Sequence, residues 1–390
     1  MMVPMPPTAA TGIRRLFGDQ TFHFQALRVL NDVAAGGADV NEVFETISHI
    51  AESDAEAWYE AFSATARRNE DRVRDNRDPI SRGLGLQRAH TYWRTAEFLL
   101  SPDDPRREIA WSAQISNFDA GLQALGVPFE RSDVPYEKGS LRAIFYPVPG
   151  GDDRPLIVFV GGYDSTLEEL YFMLAKDAND RGYNVLTYEG PGQGAALRRH
   201  GLPFTHEWEK PNGAVLDHFL ARHAQPRGIV LIGMSMGGYL APRAAAFDQR
   251  IDGLIAFDVL FDFGALCKTY GALAADPVKS RSPGVKWAME NGCWTFGVGS
   301  VEAFLAASAA YTLAPVAHKI GADVLVLAGA ADHFVPLSQV DAFTTALKQA
   351  RSVETHIYDQ ASGGAEHCQL GATTLWHATL FDWMLRRFGS

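Results

Sequence analysis

Residues 229–238 read IVLIGMSMGG, an apolar run that leads into a Gly-x-Ser-x-Gly turn and then into a helix-forming stretch. A strand–turn–helix segment of this kind holds a serine in a strained backbone conformation, with its Oγ lifted clear of the sheet. Side chains at Gly233 and Gly237 would collide with the neighbouring strand and helix, which accounts for the glycines. The segment therefore predicts a nucleophile elbow with Ser235 as the nucleophile.

Residues beyond the elbow supply candidates for a base and an acid. A serine hydroxyl needs a base to take its proton and a third group to orient that base. Asp332 follows the predicted strand 324–328 through the turn 329–331, and His367 lies in a glycine-bearing loop after the last predicted strand. Because ligands bind at the carboxyl ends of parallel strands, we expect Ser235, Asp332 and His367 to form a catalytic triad.

Other acidic and histidine side chains compete for these roles. Asp258 and Asp262 follow the strand after the elbow, a position from which some hydrolases draw their acid, and Asp258 is the second choice for the acid. His333 adjoins Asp332, an arrangement that does not easily aim it at the serine. His377 is predicted to lie on a helix. The triad built on Asp332 and His367 is the preferred hypothesis.

An oxyanion hole requires two backbone N–H groups aimed at the developing negative charge. One is predicted to belong to Met236, the residue after the nucleophile. The other is predicted from the loop GGYDS at residues 161–165, which follows the strand 156–160. Glycines there let the backbone approach a substrate closely. Tyr163 is the first choice for this second donor, and Gly162 is the next.

The glycine-rich segment GPGQG at residues 190–194 invites comparison with a phosphate-binding loop. It lacks the lysine of a P-loop and the spacing of a dinucleotide fingerprint, and no helix is predicted to begin at its end. We therefore interpret it as a turn that leaves the strand 184–188. No cofactor and no metal ligand set are predicted.

Hydrophobic periodicity divides the chain into a helical first third and a region of alternating strands and helices. Apolar residues at three- and four-residue spacing predict helices at 24–35, 40–52, 55–74, 81–100 and 106–125. A predicted hairpin at 130–134 and 141–147 is followed by strands at 156–160, 184–188, 228–232, 253–257, 324–328 and 354–358. Helices are predicted between these strands and after them, at 167–181, 211–223, 238–247, 338–349 and 370–388. This alternation predicts an α/β fold of the α/β-hydrolase type, with a mostly parallel sheet flanked by helices.

The predicted domain organisation places two helical segments around the sheet. Residues 1–128 are predicted to be a helical N-terminal cap segment and residues 129–390 the α/β-hydrolase core, with 259–318 as a helical cap insertion. Long insertions in such folds usually carry function. A few of the ten cap aromatics are expected to line a dry pocket, and the rest to be core: Trp58, Tyr59, Tyr92, Trp93, Trp111, Phe118, Tyr270, Trp287, Trp294 and Phe296.

Composition limits the classes of partner. The chain has 390 residues, of which 47% are hydrophobic, and a formal net charge of -11. That charge argues against nucleic acid, whose phosphates require a basic surface. The three cysteines are too few and too scattered for a disulfide framework or a zinc site, so buried thiols in a reducing compartment are expected. Residues 1–20 show no secretory signal, and no apolar run is long enough to span a membrane, which favours a cytoplasmic protein.

Four segments together resemble a branch of the α/β-hydrolases. VGGYDSTLEE from residue 160, YEGPGQG from 188, GMSMGGY from 233 and EHC at 366–368 look like 2,6-dihydroxypseudooxynicotine hydrolase and the fungal polyketide-shortening hydrolases of pigment pathways. The resemblance implies a serine triad, carried over as Ser235, Asp332 and His367, a largely N-terminal helical cap and, in many members, a homodimer. It also implies cleavage of a carbon–carbon bond next to a ketone, whereas relatives cleave esters or transfer acyl groups.

These observations predict a serine hydrolase that cleaves a carbon–carbon bond next to a ketone, or an ester, in an aromatic or polyketide-like small molecule. For carbon–carbon cleavage the leaving carbanion must be protonated on carbon, and His367 is the expected donor. An acyltransferase or peptidase on the same triad is the alternative within catalysis. A catalytically silent binding module is the alternative outside it. The sequence leaves the bond type and the substrate open.

Overall fold

The structure is a computed structural model that describes residues 15–277 and 279–389. The prediction that residues 1–20 carry no secretory signal falls mostly on residues 1–14, which lie outside the described residues. The first third is helical, as predicted, with α1 (Gln20–Asn31), α2 (Val40–Ser48), α3 (Ala55–Val73), α4 (Pro79–Glu97) and α5 (Arg106–Leu125). Within the described residues, every helix is too short or too polar to cross a lipid bilayer.

Aspartate side chains cap the starts of the first four of these helices. The Asp19 carboxylate accepts hydrogen bonds from the backbone N–H groups of Thr21 and Phe22, so α1 begins at Gln20 and not at the predicted residue 24. Helix α1 ends at Asn31, and a 3₁₀ turn continues to residue 35. Asp78 caps α4 in the same way. Such caps satisfy N–H groups that would otherwise lack a partner in the first turn.

An eight-stranded sheet forms the centre of the molecule, in the order β1-β2-β4-β3-β5-β6-β7-β8. The pairs β1–β2 and β2–β4 are antiparallel and all other pairs are parallel, which confirms the predicted mostly parallel sheet. The strands are β1 (Glu130–Tyr136), β2 (Gly139–Tyr146), β3 (Leu156–Val160), β4 (Val185–Tyr188), β5 (Ile229–Met234), β6 (Gly253–Phe257), β7 (Asp323–Gly329) and β8 (Ser352–Tyr358).

Helices cover both faces of the sheet. Those after β3 are α6 (Lys176–Asn179), α7 (Gly194–Arg198), α8 (Glu209–Leu220), α9 (Gly237–Ala245), α10 (Phe263–Ala275), α11 (Pro283–Thr295), α12 (Val301–Ser308), α13 (Ser338–Ala346) and α14 (Thr373–Phe388). Alternate residues of β3 enter separate hydrophobic clusters: Leu156 and Val158 pack on one face, and Ile157 and Phe159 on the other. A third cluster joins the N-terminal helices.

One predicted helix is interrupted. The segment 167–181 is not continuous α-helix, because a π-helical turn at Tyr171–Ala175 precedes the short α6. The Met173 carbonyl oxygen contacts His377 Nε2 on α14 at 2.8 Å. The carbonyl group therefore has a hydrogen-bond partner on a neighbouring helix, at a point where the regular pattern of α-helical backbone hydrogen bonds is interrupted. Met173 also lies in the wall of the cavity described below.

Candidate active site

The elbow after β5 has the strained backbone that its sequence predicts. Ser235 has φ +60°, a left-handed conformation that is unfavourable for a residue with a side chain. Its N–H donates to the Phe257 carbonyl at 3.0 Å, which ties the elbow to β6. A Cβ atom at Gly233 would lie 1.9 Å from the Gly237 carbonyl oxygen, and one at Gly237 would lie 2.7 Å from that of Val160. The strain therefore persists because the packed neighbours fix the turn.

His367 connects the serine to an aspartate. Its Nε2 lies 2.9 Å from Ser235 Oγ, and its Nδ1 lies 2.6 Å from Asp332 Oδ2. The other oxygen of Asp332 accepts hydrogen bonds from the N–H groups of Phe334 and Val335, at 2.7 and 2.9 Å. These bonds fix the carboxylate after β7. The structure thus brings together Ser235, Asp332 and His367, in the geometry through which a histidine takes a serine proton.

A second carboxyl group lies beside the same imidazole. Asp258, directly after β6, is buried and has φ +53°. Its Oδ2 is 3.3 Å from His367 Nδ1 and accepts a hydrogen bond from the Cys368 N–H. The alternative acid is therefore part of the same site, at a longer distance from the imidazole than Asp332.

Burial and charge separate the protonation behaviour of these groups. Burial works against charge on His367, but the Asp332 and Asp258 carboxylates outweigh it and raise the pKa of His367 well above its ordinary value. Burial and the Asp332 carboxylate raise the pKa of Asp258 to about 7. Although burial acts to raise the pKa of Asp332, His367 and two backbone N–H groups bring that pKa below its ordinary value. Asp332 is therefore the ionised partner of the histidine at neutral pH.

The loop after β3 and the start of α9 present backbone N–H groups near the serine. In the described part of the chain, the N–H groups of Tyr163 and Met236 donate no hydrogen bond, so they are available to a ligand. The Gly162 N–H instead donates to Ser165 Oγ at 2.9 Å. A Cβ atom at Gly162 would lie 2.8 Å from Ser235 Cβ, so this loop passes directly beside the nucleophile.

The segment 190–194 supports that loop. Gln193 is buried, and its Nε2 donates to the carbonyl oxygens of Gly161 and Gly162, at 3.1 and 2.8 Å. Its Oε1 accepts from the Gly190 N–H at 3.0 Å, which closes the predicted turn after β4. The prediction that no helix begins at the end of this segment is wrong, because α7 starts at Gly194. The sequence analysis interpreted this segment only as a turn and did not predict that Gln193 supports the loop beside Ser235.

A cavity of about 340 Å³ opens above Ser235 and His367. Its wall is mostly apolar and includes residues of α1, α10 and α11 as well as the core. Of the ten aromatic residues named in the sequence analysis, Tyr270 and Trp287 line it, and Trp111 and Trp294 line a smaller recess nearby. The ring of Phe24, on α1, lies 6.0 Å from the His367 ring between centroids. The N-terminal helices therefore supply part of the wall beside the histidine.

The other candidate acids and bases have different surroundings. Asp262 caps α10 by accepting a hydrogen bond from the Ala265 N–H. His377 is buried against Met173, and burial lowers its pKa to about 4. His333 lines the cavity, but its Nδ1 lies 3.5 Å from Glu366 Oε2. None of the three has a hydrogen bond to Ser235 among the described contacts.

One group of donor atoms in this region has the spacing of a metal site. Asp258, His367 and Cys368 offer ligand atoms within 4.8 Å of one another. His367 Nε2 is engaged by Ser235 Oγ at 2.9 Å. His367 Nδ1 is already engaged by Asp332. The donor set therefore fits a hydrogen-bonded catalytic site and does not fit a metal centre. Cys267 and Cys368 are buried free thiols, whereas Cys293 is partly exposed, contrary to the prediction for it.

Comparison with known proteins identifies the class of protein. The chain belongs to the α/β-hydrolase family, whose model matches residues 157–371, and it is an enzyme. It is 30% identical to the hydrolase acrC of Aspergillus aculeatus, with 96% of this chain and 98% of the relative covered. It is likewise 30% identical to the 20-hydroxy-prefusarin hydrolase FUS2 of Gibberella moniliformis, with 95% of this chain and 97% of the relative covered.

The fold extends over the whole length of a solved structure. The crystal structure of the 2,6-dihydroxy-pseudo-oxynicotine hydrolase aligns with a TM-score of 0.74 at 22% identity, and the alignment covers 92% of this chain and 95% of that one. The resemblance predicted from the four sequence segments is thereby confirmed, and so is the α/β-hydrolase fold.

Proposed function

We propose that this hydrolase uses Ser235, His367 and Asp332 to cleave a carbon–carbon bond next to a ketone, or an ester, in an aromatic or polyketide-like small molecule. The observation that carries the proposal is the position of His367, which contacts both Ser235 Oγ and Asp332 Oδ2 at the floor of an apolar cavity. The names of the relatives, 20-hydroxy-prefusarin hydrolase and 2,6-dihydroxy-pseudo-oxynicotine hydrolase, support a small organic substrate.

The reaction begins when Ser235 Oγ attacks the substrate carbonyl carbon and its proton passes to His367 Nε2. The N–H groups of Met236 and Tyr163 bind the resulting oxyanion, with Gly162 as the second choice beside Tyr163. Collapse of the tetrahedral intermediate breaks the carbon–carbon or carbon–oxygen bond and leaves an acyl group on Ser235. The leaving group takes the proton from His367, on carbon in the first case and on oxygen in the second.

Water completes the cycle. His367 removes a proton from a water molecule that attacks the acyl carbon, and Ser235 regains its proton as the carboxylic acid leaves. Asp332 holds the imidazole and stabilises its positive charge at both proton transfers. The apolar wall excludes other water. A carbanion leaving group is least unfavourable there when its charge is delocalised as an enolate or over a ring.

A paired substrate panel tests this proposal. Aryl esters and aromatic β-diketones of matched size are offered to the wild type and to Ser235→Ala, and the products are quantified. We expect turnover of at least one class by the wild type, and none above background by Ser235→Ala. Equal turnover by the two proteins would overturn the mechanism. Turnover confined to esters would overturn the carbon–carbon assignment.

An acyltransferase or a peptidase on the same residues is the second candidate. An acyltransferase would release little acid until an acceptor alcohol or amine is added, so product analysis with and without an acceptor distinguishes it. A catalytically silent binding module is the third candidate, and covalent labelling of Ser235 would contradict it.

Two further properties are proposals. A homodimer is implied by the resemblance alone, and light scattering of the purified protein measures it. A cytoplasmic location is supported by the free thiols of Cys267, Cys293 and Cys368, and cell fractionation tests it.

A further inference from the structure

The smaller recess beside the active-site cavity has the size of one substituent. It encloses about 50 Å³. Five residues line both spaces, which therefore adjoin: Phe98, Tyr163, Asp164, Ser165 and Trp287. A cavity needs roughly 10–15 Å³ to hold one water molecule, so the recess has room for a group of about three to five non-hydrogen atoms.

Two arginine side chains in the wall of the recess share one carboxylate. Arg107, on α5, donates from Nε to Glu97 Oε2 at 3.3 Å, and Arg198, the last residue of α7, donates from Nη2 to the same oxygen at 2.7 Å. The other oxygen of Glu97 accepts from Gln114 Nε2 at 3.1 Å. Among the described residues, both Nη atoms of Arg107 and the Nε and Nη1 atoms of Arg198 have no hydrogen-bond partner.

These unpaired donors remain accessible and are held in place. The side chains of Arg107 and Arg198 line the recess and are 11% and 12% exposed, and none of their nitrogen atoms is among the described polar atoms that are both closed off and unpaired. The guanidinium carbons of the two lie 4.4 and 5.3 Å from the centre of the Trp294 ring. Stacking on one indole fixes both planar groups, so their free N–H groups are oriented before a ligand arrives.

The charges around the recess leave one positive charge in excess. On one side, two cations and two anions balance: Arg28, Arg94, Asp164 and Glu169. On the other side, Glu97 alone pairs with both Arg107 and Arg198. Asp104, which also acts on Arg107, is bound by Arg106. A ligand with a single negative charge would therefore complete the balance.

Two further observations agree with this count. Burial lowers the pKa of Arg107, and the charge of Arg198 acts in the same direction, although Glu97 opposes both. The chain as a whole has a formal net charge of -11, so the positive excess is particular to this recess and is not a general property of the protein.

We propose that the recess binds a carboxylate substituent of the substrate, so that the enzyme prefers acidic substrates over neutral ones of the same shape. A carboxylate has three non-hydrogen atoms and one charge, and its two oxygens accept hydrogen bonds from guanidinium groups. A phosphate group is larger and carries a charge of about -1.5 to -2, which exceeds the excess. The proposal rests on the proposed function in that the rest of the ligand occupies the cavity above Ser235.

Binding to an inactive background measures this preference without turnover. Phenyl alkyl ketones whose chain ends in a carboxylate are titrated calorimetrically into Ser235→Ala, beside ketones that end in the uncharged carboxamide, over a series of chain lengths. The titrations are repeated with Arg107→Met or Arg198→Met added, so that one misfolded variant does not decide the result. Arg106→Met is the matched control, because it removes the same charge from the adjacent position on α5 and Arg106 does not line the recess.

At one chain length or more, we expect the carboxylate ketone to bind at least about tenfold more tightly than the amide in the background protein, and within about twofold of it once Arg107 or Arg198 is replaced. Arg106→Met should keep the preference. Equal binding of acid and amide at every chain length, which needs neither arginine variant to measure, would overturn the proposal. A preference that survives both replacements, or that Arg106→Met abolishes equally, would also overturn it.

Butyrate alone distinguishes a substituent from a free anion. Because linkage to the ketone makes the second contact intramolecular, we expect butyrate to bind at least about a hundredfold more weakly than the best carboxylate ketone. Butyrate binding of equal strength, lost in Arg107→Met, would assign the recess to a free anion and overturn the proposal. Ester turnover by the wild type, measured against Ser235→Ala, reports separately on the proposed function.

Discussion

The carboxyl group of Asp258 reaches the same imidazole nitrogen as that of Asp332: His367 Nδ1 lies 3.3 Å from Asp258 Oδ2 and 2.6 Å from Asp332 Oδ2. The two groups are held differently. Asp332 accepts two backbone N–H bonds on its other oxygen, whereas Asp258 shares its nearer oxygen with the Cys368 N–H. The shorter, better supported contact favours Asp332 as the proposed orienting acid, and replacing each carboxyl group in turn tests that assignment.

The two aspartates should differ sharply when they are replaced by asparagine. Asp332→Asn should lower kcat/KM by about 10,000-fold, because the amide stabilises the wrong tautomer of His367. Asp258→Asn should lower it by less than about tenfold, since Asp332 still orients the imidazole. Steady-state kinetics on one aryl ester compares the two variants. The reverse order would make Asp258 the catalytic acid.

The pH profile should report both carboxyl groups. His367 acts as a base only when it is neutral, and its raised pKa places the acid limb of kcat/KM above the ordinary value of 6.5. Removing one negative neighbour makes the imidazolium less favourable, so Asp258→Asn should move this limb to lower pH. A kcat/KM profile from about pH 5 to 9, roughly the range in which most domains stay folded, measures the position of this limb. An unmoved or upward-shifted limb would show that Asp258 does not interact with the ionised histidine.

The Gln193 contacts predict a positioning role. Gln193→Ala removes the donor that holds the carbonyl groups of Gly161 and Gly162, so the neighbouring N–H of Tyr163 should lose its fixed direction. We expect kcat to fall by about ten- to a hundredfold, with KM changed little, because Gln193 does not line the main cavity.

The control for that experiment is Gln249→Ala, the same change at an exposed position, which should leave kcat unchanged. A parallel rise in KM for Gln193→Ala, with kcat retained, would contradict the positioning role. It would show that Gln193 acts on ligand binding instead.

The fold class was predictable because the buried strands are continuous apolar runs that alternate with amphipathic helices. The strand 253–257 has the predicted bounds, since Asp252 precedes it and Asp258 follows it. The start of α1 was less predictable because it depends on the single cap Asp19. The prediction of a continuous helix over 167–181 is wrong because of a π-helical turn at Tyr171–Ala175, which no apolar spacing in the sequence marks.

The site residues that could be predicted from the sequence are those that come soon after the end of a strand. Ser235, Asp332 and His367 each follow a predicted strand, and the structure brings them together. Phe24 and Gln25 reach the cavity through the packing of α1 on the core, which no local pattern encodes. A signal was present in the run of polar and aromatic residues along one side of α1, but the surface it faces could not be derived from the sequence.

Arg28 should contribute to stability by joining α1 to the core. Its ion pairs with Asp164 and Glu169 are largely buried, so Arg28→Ala leaves two carboxylates with less compensation. We expect a loss of about 3–5 kcal/mol in the free energy of unfolding, less where Arg94 takes over Glu169. Urea unfolding measures it.

The matched control is Arg181→Ala, whose pair with Asp177 lies within one helical turn and is more exposed. That variant should lose about 0.3–0.5 kcal/mol. Similar small losses in both variants would mean that the buried pairs do not hold α1 in place.

Covalent labelling of Ser235 tests the central claim most directly. The protein is treated with an aryl fluorophosphonate, digested, and examined by mass spectrometry, with Ser235→Ala and His367→Ala treated in parallel. We predict one adduct, on the peptide that contains Ser235, formed at least about a hundredfold more slowly in His367→Ala and absent in Ser235→Ala. An unlabelled Ser235 in a protein that still hydrolyses its substrate, or an adduct that forms equally fast without His367, would contradict the claim.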